Sequence, residues 1–368
     1  MKRIVVAVLA IAFAASAMAQ DKPKDEPKKP TRGDRFKTII QDWQKAQEPL
    51  RKEFVELKTD EEREAFIAKL PPRFAPFAEA AVKLAEEDLK DPAAFEALMF
   101  AMMAAQSEKA AELMAASQQE HRQFQTIVMM LGGQGENNPA AEKLLKLTHE
   151  KAAKKDLRGA AAFSLAQMYY KKSEAAGAKE PEKLLKQAEQ MAASVEKDFA
   201  DVNTPDGSLK DSAGKLLFEI RNLAVGKTAP EVVSEDLEGK EAKLSNYRGK
   251  VVVLDIWATW CGPCRAMIPH EREMVEKLKD KPFALISISA DEEKKDLKDF
   301  LEKEKMPWTH WWEGRKPKGI LKDWNVQFFP TIYVIDHKGV IRHKGLRGKK
   351  LEEAVEKLVK EAEAEKKS

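Results

Sequence analysis

Two cysteines occur in this 368-residue chain, and both lie in one tetrapeptide, Cys261-Gly262-Pro263-Cys264. Directly before it runs Lys250 to Trp257, KVVVLDIW, a β-branched apolar stretch fit for a buried central strand. Met267, Met274, Val275 and Leu278 follow at helical spacing. A strand that ends in Cys-x-x-Cys places the first sulfur at a helix N-terminus, where free backbone N–H groups and the helix dipole favour the thiolate. Such settings bring a cysteine pKa from about 8.5 to between roughly 3.5 and 7.5. Cys261 is therefore expected to attack a disulfide, and Cys264, one helical turn on, to resolve the mixed disulfide. Gly262 and Pro263 supply a tight turn and lack a donor where none is needed. Two other readings exist for such a pair. A zinc site needs two further Cys or His ligands, and the six histidines show no His-x3-His or comparable spacing. The second is an inert structural bridge. Exported proteins stabilised by bridges usually carry several spaced cysteines, whereas this chain has one tight pair. No metal and no cofactor are expected.

The N-terminus constrains where such a pair would work. Lys2 and Arg3 precede Ile4 to Ala15, an unbroken apolar run of twelve, and Ser16-Ala17-Met18-Ala19 offers a small-x-small cleavage site before Gln20. This is the order of a secretory signal peptide, residues 1–19, and the run is too short to span a bilayer, which needs about twenty apolar residues. The mature chain is expected in the periplasm or cell envelope and not to span the membrane. Residues 20–33, rich in Lys and Pro, read as a disordered linker. With 64 basic and 61 acidic residues the net charge is +3, which gives no field suited to nucleic acid.

Residues 34–224 read as an all-α region. Phe36, Ile39, Ile40, Trp43, Phe54, Val55 and Leu57 recur at helical spacing. Pro49, Pro71-Pro72, Pro76, Asp91-Pro92, Gly132-Gly133, Asn138-Pro139 and Pro181 divide the run into an expected six to eight helices. Pro92, with Asp91 as N-cap, and Pro181 suit first-turn positions. No strands are expected here. Met99, Met102, Met103, Met114, Met129 and Met130 read as core filler rather than a binding stripe. Gly159 to Phe199 reads as a helical hairpin, loosely similar to a tetratricopeptide unit but without its 34-residue recurrence. Asn203 to Gly207 is a turn cluster before a last helix, Leu209 to Leu223.

Composition changes at Val225. Six of the seven tryptophans lie beyond it, and strand-like and helix-like segments alternate. After the Cys-x-x-Cys helix, which Pro269 should kink, strands are expected at Phe283–Ser289 and Ile332–Ile335, with a hairpin partner at Val340–His343 across His337-Lys338-Gly339. Helices are expected at Leu297–Leu301 and Leu351–Val359. Residues 225–368 thus form an α/β sheet with helices on both faces.

Asp255-Ile256-Trp257-Ala258-Thr259-Trp260-Cys261-Gly262-Pro263-Cys264 resembles the thioredoxin active-site strand and loop, Pro269 the family proline, and Phe329-Pro330-Thr331 the cis-proline loop that faces the dithiol. Gly226 to Pro230 through Tyr247 to Lys250 looks like the N-terminal hairpin of the redoxin branch, and Glu292 to Trp312 like its insertion. Together these resemble the exported TlpA/ResA-like thiol–disulfide oxidoreductases over residues 225–368. The resemblance implies a thioredoxin-like domain behind the all-α region, with a redox-active disulfide between Cys261 and Cys264. It implies roles for Asp255, as the buried carboxylate that accepts the proton of Cys264, and for Pro330, whose ring blocks metal capture while the backbone beside it pairs with a substrate strand. Trp257 and Trp260 would shape the apolar surface around the sulfurs, with Gly262, Pro263, Phe329 and Thr331 beside them for substrate. Burial alone should raise the pKa of Asp255 and suit it to relay a proton near neutrality. Many members of the branch carry a glutamate where this chain has Met267, which moves proton handling onto Asp255.

Reduction of protein disulfides is the expected function, with a membrane dithiol as electron donor. A peroxiredoxin-like activity is the weaker reading, since Ala258 stands where that chemistry needs a threonine. The helical region as a binding module that tethers the redox domain to a partner is compatible with the first reading.

Overall fold

The computed structural model describes residues 29–134, 137–175, 177–204, 207–314 and 319–367. The expected signal peptide, and the expected linker up to residue 28, lie outside these. The chain divides into two compact units. One runs to Lys171 and takes in Asp198–Leu209; the other is Lys172–Lys197 with everything from Lys210.

The helices up to Phe218 are α1 (Arg32–Glu56), α2 (Asp60–Ala68), α3 (Leu70–Glu86), α4 (Pro92–Ala105), α5 (Glu108–Ser117), α6 (Phe124–Gln134), α7 (Pro139–Lys151), α8 (Lys155–Glu174), α9 (Pro181–Asp198) and α10 (Leu209–Phe218). Ten among the described residues exceed the expected six to eight, and side-chain caps begin helices that no proline announces at α2 and α5. Thr31 caps α1 and accepts from Asp34 N, inside the stretch expected as linker. Thr59 and Glu62 form a reciprocal capping box that separates α1 from α2. Ser107 and Asn138 accept from Ala110 N and Ala141 N at the starts of α5 and α7. Asp91 accepts from Ala93 N, as its place before Pro92 suggests. Pro49 and Pro76 lie inside helices rather than between them. A hairpin of two residues a side, β1 (Asn203–Thr204) against β2 (Gly207–Ser208), corrects the expectation of no strands. It is too short for alternation to reveal.

In the first unit Trp43 meets Phe74 and Phe100 edge-on. Met102 and Met114 are wholly buried, while Met130 is half exposed. A Cβ on Gly132 would fall 2.6 Å from the Ser164 Cα, so α6 and α8 approach backbone to backbone there.

The second unit is built on seven strands: β3 (Val233–Asp236), β4 (Glu241–Lys243), β5 (Val251–Trp257), β6 (Phe283–Ser289), β7 (Thr309–Trp312), β8 (Thr331–Ile335) and β9 (Ile341–Lys344). Their spatial order is β4-β3-β7-β6-β5-β8-β9. β5, β6 and β7 run parallel, and β8 pairs antiparallel with β5. Residues Glu292 to Trp312 are therefore not an appendage: they supply α13 (Lys294–Lys303) and a strand inside the sheet, β7. β5 is central and all seven of its residues are buried. Val252, Leu254 and Ile256 face a core that includes Leu223, Trp311, Trp324 and Tyr333. Val251 and Val253 face α12 (Ile268–Lys277) and α15 (Gly348–Lys367), which follows the short α14 (Ile320–Asp323), through Met274, Leu278, Leu351 and Val355. Leu223 belongs to a π-helical turn, Glu219–Leu223, that continues α10. The Cys-x-x-Cys helix is not one kinked rod. It is a single turn, α11 (Gly262–Arg265), a break at Ala266-Met267, and then α12 with Pro269 in its first turn. Among the described residues no helix is long and apolar enough to cross a membrane.

Candidate active site

β5 ends at Trp257 and hands the chain to a loop held by Asp291. That buried carboxylate accepts from Thr259 N (3.1 Å) and Thr259 Oγ1 (2.7 Å), and Ser289 Oγ donates to it at 2.6 Å. The loop delivers Cys261 as the N-cap of α11, where its sulfur accepts from Cys264 N at 3.2 Å. The donor is one local N–H on a four-residue turn, a weaker source of positive potential than the long helix expected from the sequence. Cys261 and Cys264 are joined as a disulfide, with their Cα atoms 5.3 Å apart.

Around the sulfurs, Trp257, Ala258, Ile268, Ala290, Leu297 and Met306 form an apolar shell, with Phe329 packed against it. The sulfur-bearing residues are only 6% and 4% exposed, whereas Trp260 is 67% exposed and Phe328 65%. Trp260 meets Phe329 edge-on, ring centroids 5.7 Å apart. The Phe329-Pro330 bond is cis. Thr331 Oγ1 donates to Phe328 O at 2.7 Å, and Arg347 Nη2 to Pro330 O at 3.3 Å. Gly262 and Pro263 are exposed at the mouth. The residues singled out in the sequence, Asp255 apart, thus come together at the C-terminal end of the central strand β5.

Asp255 lies deeper. It points to the α12 face of β5, between Val253 and Trp257, and is opposite Ser287 of β6 and Ile332 of β8. Burial pushes its carboxyl up to about 7, against the pull of Arg347 and a hydrogen bond with Ser287. Sequence reasoning missed a second buried carboxyl, Glu271, on α12. Burial first, and the charge of Asp255 second, push it up to about 9. In the structure Ile268, Glu271 and Met274 form one stripe of buried positions on α12, which the glutamate interrupts. Asp291 was also missed, because nothing in its loop sequence marks it as an anchor. Met267 is half buried and packs against the Val251–Val253 core.

The AhpC/TSA family profile matches residues 225–344. Thiol-disulfide oxidoreductase ResA of Bacillus thuringiensis subsp. konkukian (strain 97-27) is 33% identical over 138 residues, which cover 38% of this chain and 78% of that protein. The chain belongs to the ResA-like thiol–disulfide oxidoreductases. Thioredoxin-like protein YneN of Bacillus subtilis (strain 168) is 34% identical over 130 residues, 34% of this chain and 74% of that one. Among solved structures, the thioredoxin domain of a thiol-disulfide oxidoreductase from Bacteroides vulgatus is 33% identical, covers 38% of this chain and 99% of its own, and has a TM-score of 0.36. The sheet-bearing C-terminal part of this oxidoreductase is thioredoxin-like, and the region before it is helical.

Proposed function

We propose that the protein is an exported reductase of protein disulfides, working through Cys261 and Cys264. The observation that carries this reading is the geometry of the sulfurs: bonded to each other, capped by one N–H, and set beside a buried carboxyl on the same strand that delivers them. In the reduced enzyme the Cys261 thiolate attacks one sulfur of a substrate disulfide. A bond forms between them, and the other substrate sulfur leaves as a thiolate that takes a proton from water. Cys264 then gives its proton to Asp255 and attacks the Cys261 sulfur. The bond to substrate breaks, the second substrate thiolate leaves, and two electrons have passed to the substrate. A membrane dithiol restores the pair by the reverse exchange. Substrate backbone pairs beside Pro330, over the apolar ground of Trp260, Phe329 and Thr331 with Gly262 and Pro263 at its edge. Export rests on Lys2-Arg3, the apolar run and the Ala17-Met18-Ala19 site.

Insulin reduction driven by dithiothreitol tests the reading. The wild type should accelerate precipitation, and Cys261→Ser should not exceed the uncatalysed rate. Cys264→Ser should stall as a covalent mixed disulfide, seen as a dithiothreitol-sensitive adduct on a non-reducing gel. Equal rates for wild type and Cys261→Ser would rule the reading out.

A further inference from the structure

Two carboxyls are buried behind the disulfide, where redox exchange of one thiol proton calls for a single acceptor. Their juxtaposition follows from packing. On β5, Asp255 sits between Trp257, which belongs to one buried cluster with Cys264 and Ile268, and Val253, which belongs to another with Met274. On α12, Glu271 sits between the same two partners, Ile268 and Met274. The two side chains thus face each other across one helix–sheet interface. Asp255 is 4% exposed and Glu271 2%. Asp255 Oδ1 and Glu271 Oε1 are both buried without a hydrogen-bond partner among the described residues. An uncompensated buried carboxylate is costly, so a proton is the natural occupant of that site.

We propose that Glu271 is a positioning residue for the resolving step: with Asp255 it forms a buried carboxyl pair that retains one proton through neutral pH and thereby sets when the Cys264 thiol can ionise. This builds on the dithiol reading above. The surroundings decide which member keeps the proton. Asp255 has Ser287 beside it and feels Arg347, both favouring its ionised form. Ser287 also accepts from Trp308 Nε1 at 2.9 Å, and the next residue in that cross-strand row is His310. Burial pushes the His310 pKa down, so it adds no charge near neutrality. On α12 itself His270 is partly buried and lies 3.8 Å from Glu352 of α15, and the α15 residues turned toward the sheet, Leu351 and Val355, are apolar. Glu271 has no cation in this set, so it keeps the proton and Asp255 gives its own up first. When Cys264 loses its proton, Asp255 takes it, and the pair then holds two. At higher pH, ionised Glu271 adds a like charge behind Cys264 and holds that thiol in its protonated form.

Infrared spectroscopy of the full oxidised protein at about pH 8, where ordinary carboxyls are ionised, tests the first part. The neutral-carboxyl C=O absorption should be present in wild type and in Asp255→Asn, and lost in Glu271→Gln. Its absence from wild type, or its persistence in Glu271→Gln, overturns the proposal without any need for activity. The second part is read in the Cys261→Ser background, which leaves Cys264 as the one thiol. There Glu271→Gln should raise the Cys264 thiolate absorbance at about pH 9 by about threefold, and Glu271→Asp should restore the wild-type curve in part. Coincident thiolate curves would overturn it. Insulin reduction by Cys261→Ser, by contrast, would overturn the reductase reading and leave both titrations standing.

Discussion

A carboxyl removed from water resists ionisation, and this has a consequence for stability that belongs to Asp255 and Glu271 individually. Their folded values, about 7 and about 9, lie above the unfolded ones, 3.8 and 4.5. Between those limits the folded protein binds protons that the unfolded chain has released, so the contribution of each group falls as pH rises. Glu271→Gln removes one of the two. Urea unfolding should show the variant gaining progressively on wild type as pH rises from about 5 to 9, by on the order of 5 kcal/mol in all. A difference independent of pH would mean that Glu271 is ionised in the fold. Asp255 was legible because it interrupts an otherwise apolar strand next to the cysteines. Glu271 was not, because one buried glutamate in a helix that also carries Glu273 and Glu276 looks like part of a solvated face. Only the docking of α12 on β5 decides which of them is inside. The resemblance directed attention to position 267, where the side chain is methionine, while the carboxyl stands four residues further along the helix.

At the level of elements, the strands that build the site were the readable part. KVVVLDIW is β-branched throughout its middle and became β5, and Phe283–Ser289 became β6 with the expected ends. β7 escaped notice because Thr309–Trp312 is short and owes its place to pairing with β6 rather than to alternation. Helix ends escaped for a different reason. Capping is a matter of one hydroxyl or carboxylate meeting one N–H, and Thr59-Asp60-Glu61-Glu62 reads as ordinary polar surface until the chain turns. Gly132 shows the converse, a residue read as a breaker that lies inside α6 and permits a close helix crossing. Gly132→Val should push Ser164 away and cost about 1–3 kcal/mol, measured by chemical denaturation of the full chain. An unchanged midpoint would show that α6 moves aside freely.

For the whole molecule, the change of composition at Val225 marks where the sheet sequence begins, but the compact unit around that sheet starts earlier. Leu223 is completely buried among Leu254, Ile256 and Tyr333, with Phe218 packed alongside. Arg221 pairs with Glu189 at 2.7 Å, and Lys344 with Glu174 at 2.8 Å. No local pattern announces such links, because they join residues far apart in the chain. A fragment of residues 225–368 should therefore unfold at lower urea than one of 172–368, by about 2–5 kcal/mol on the scale of lost buried leucines; equal stabilities would show the preceding helices to be dispensable. The burial of the two cysteines next to the exposed Trp260 bears on what the enzyme can serve. A cystine locked inside a folded neighbour cannot come within bonding reach of a sulfur that barely meets solvent. For the disulfide reductase proposed above, the bonds open to attack would be those carried on loose or extended chain, so that the accessibility of the client's own bond, more than its sequence, would filter turnover.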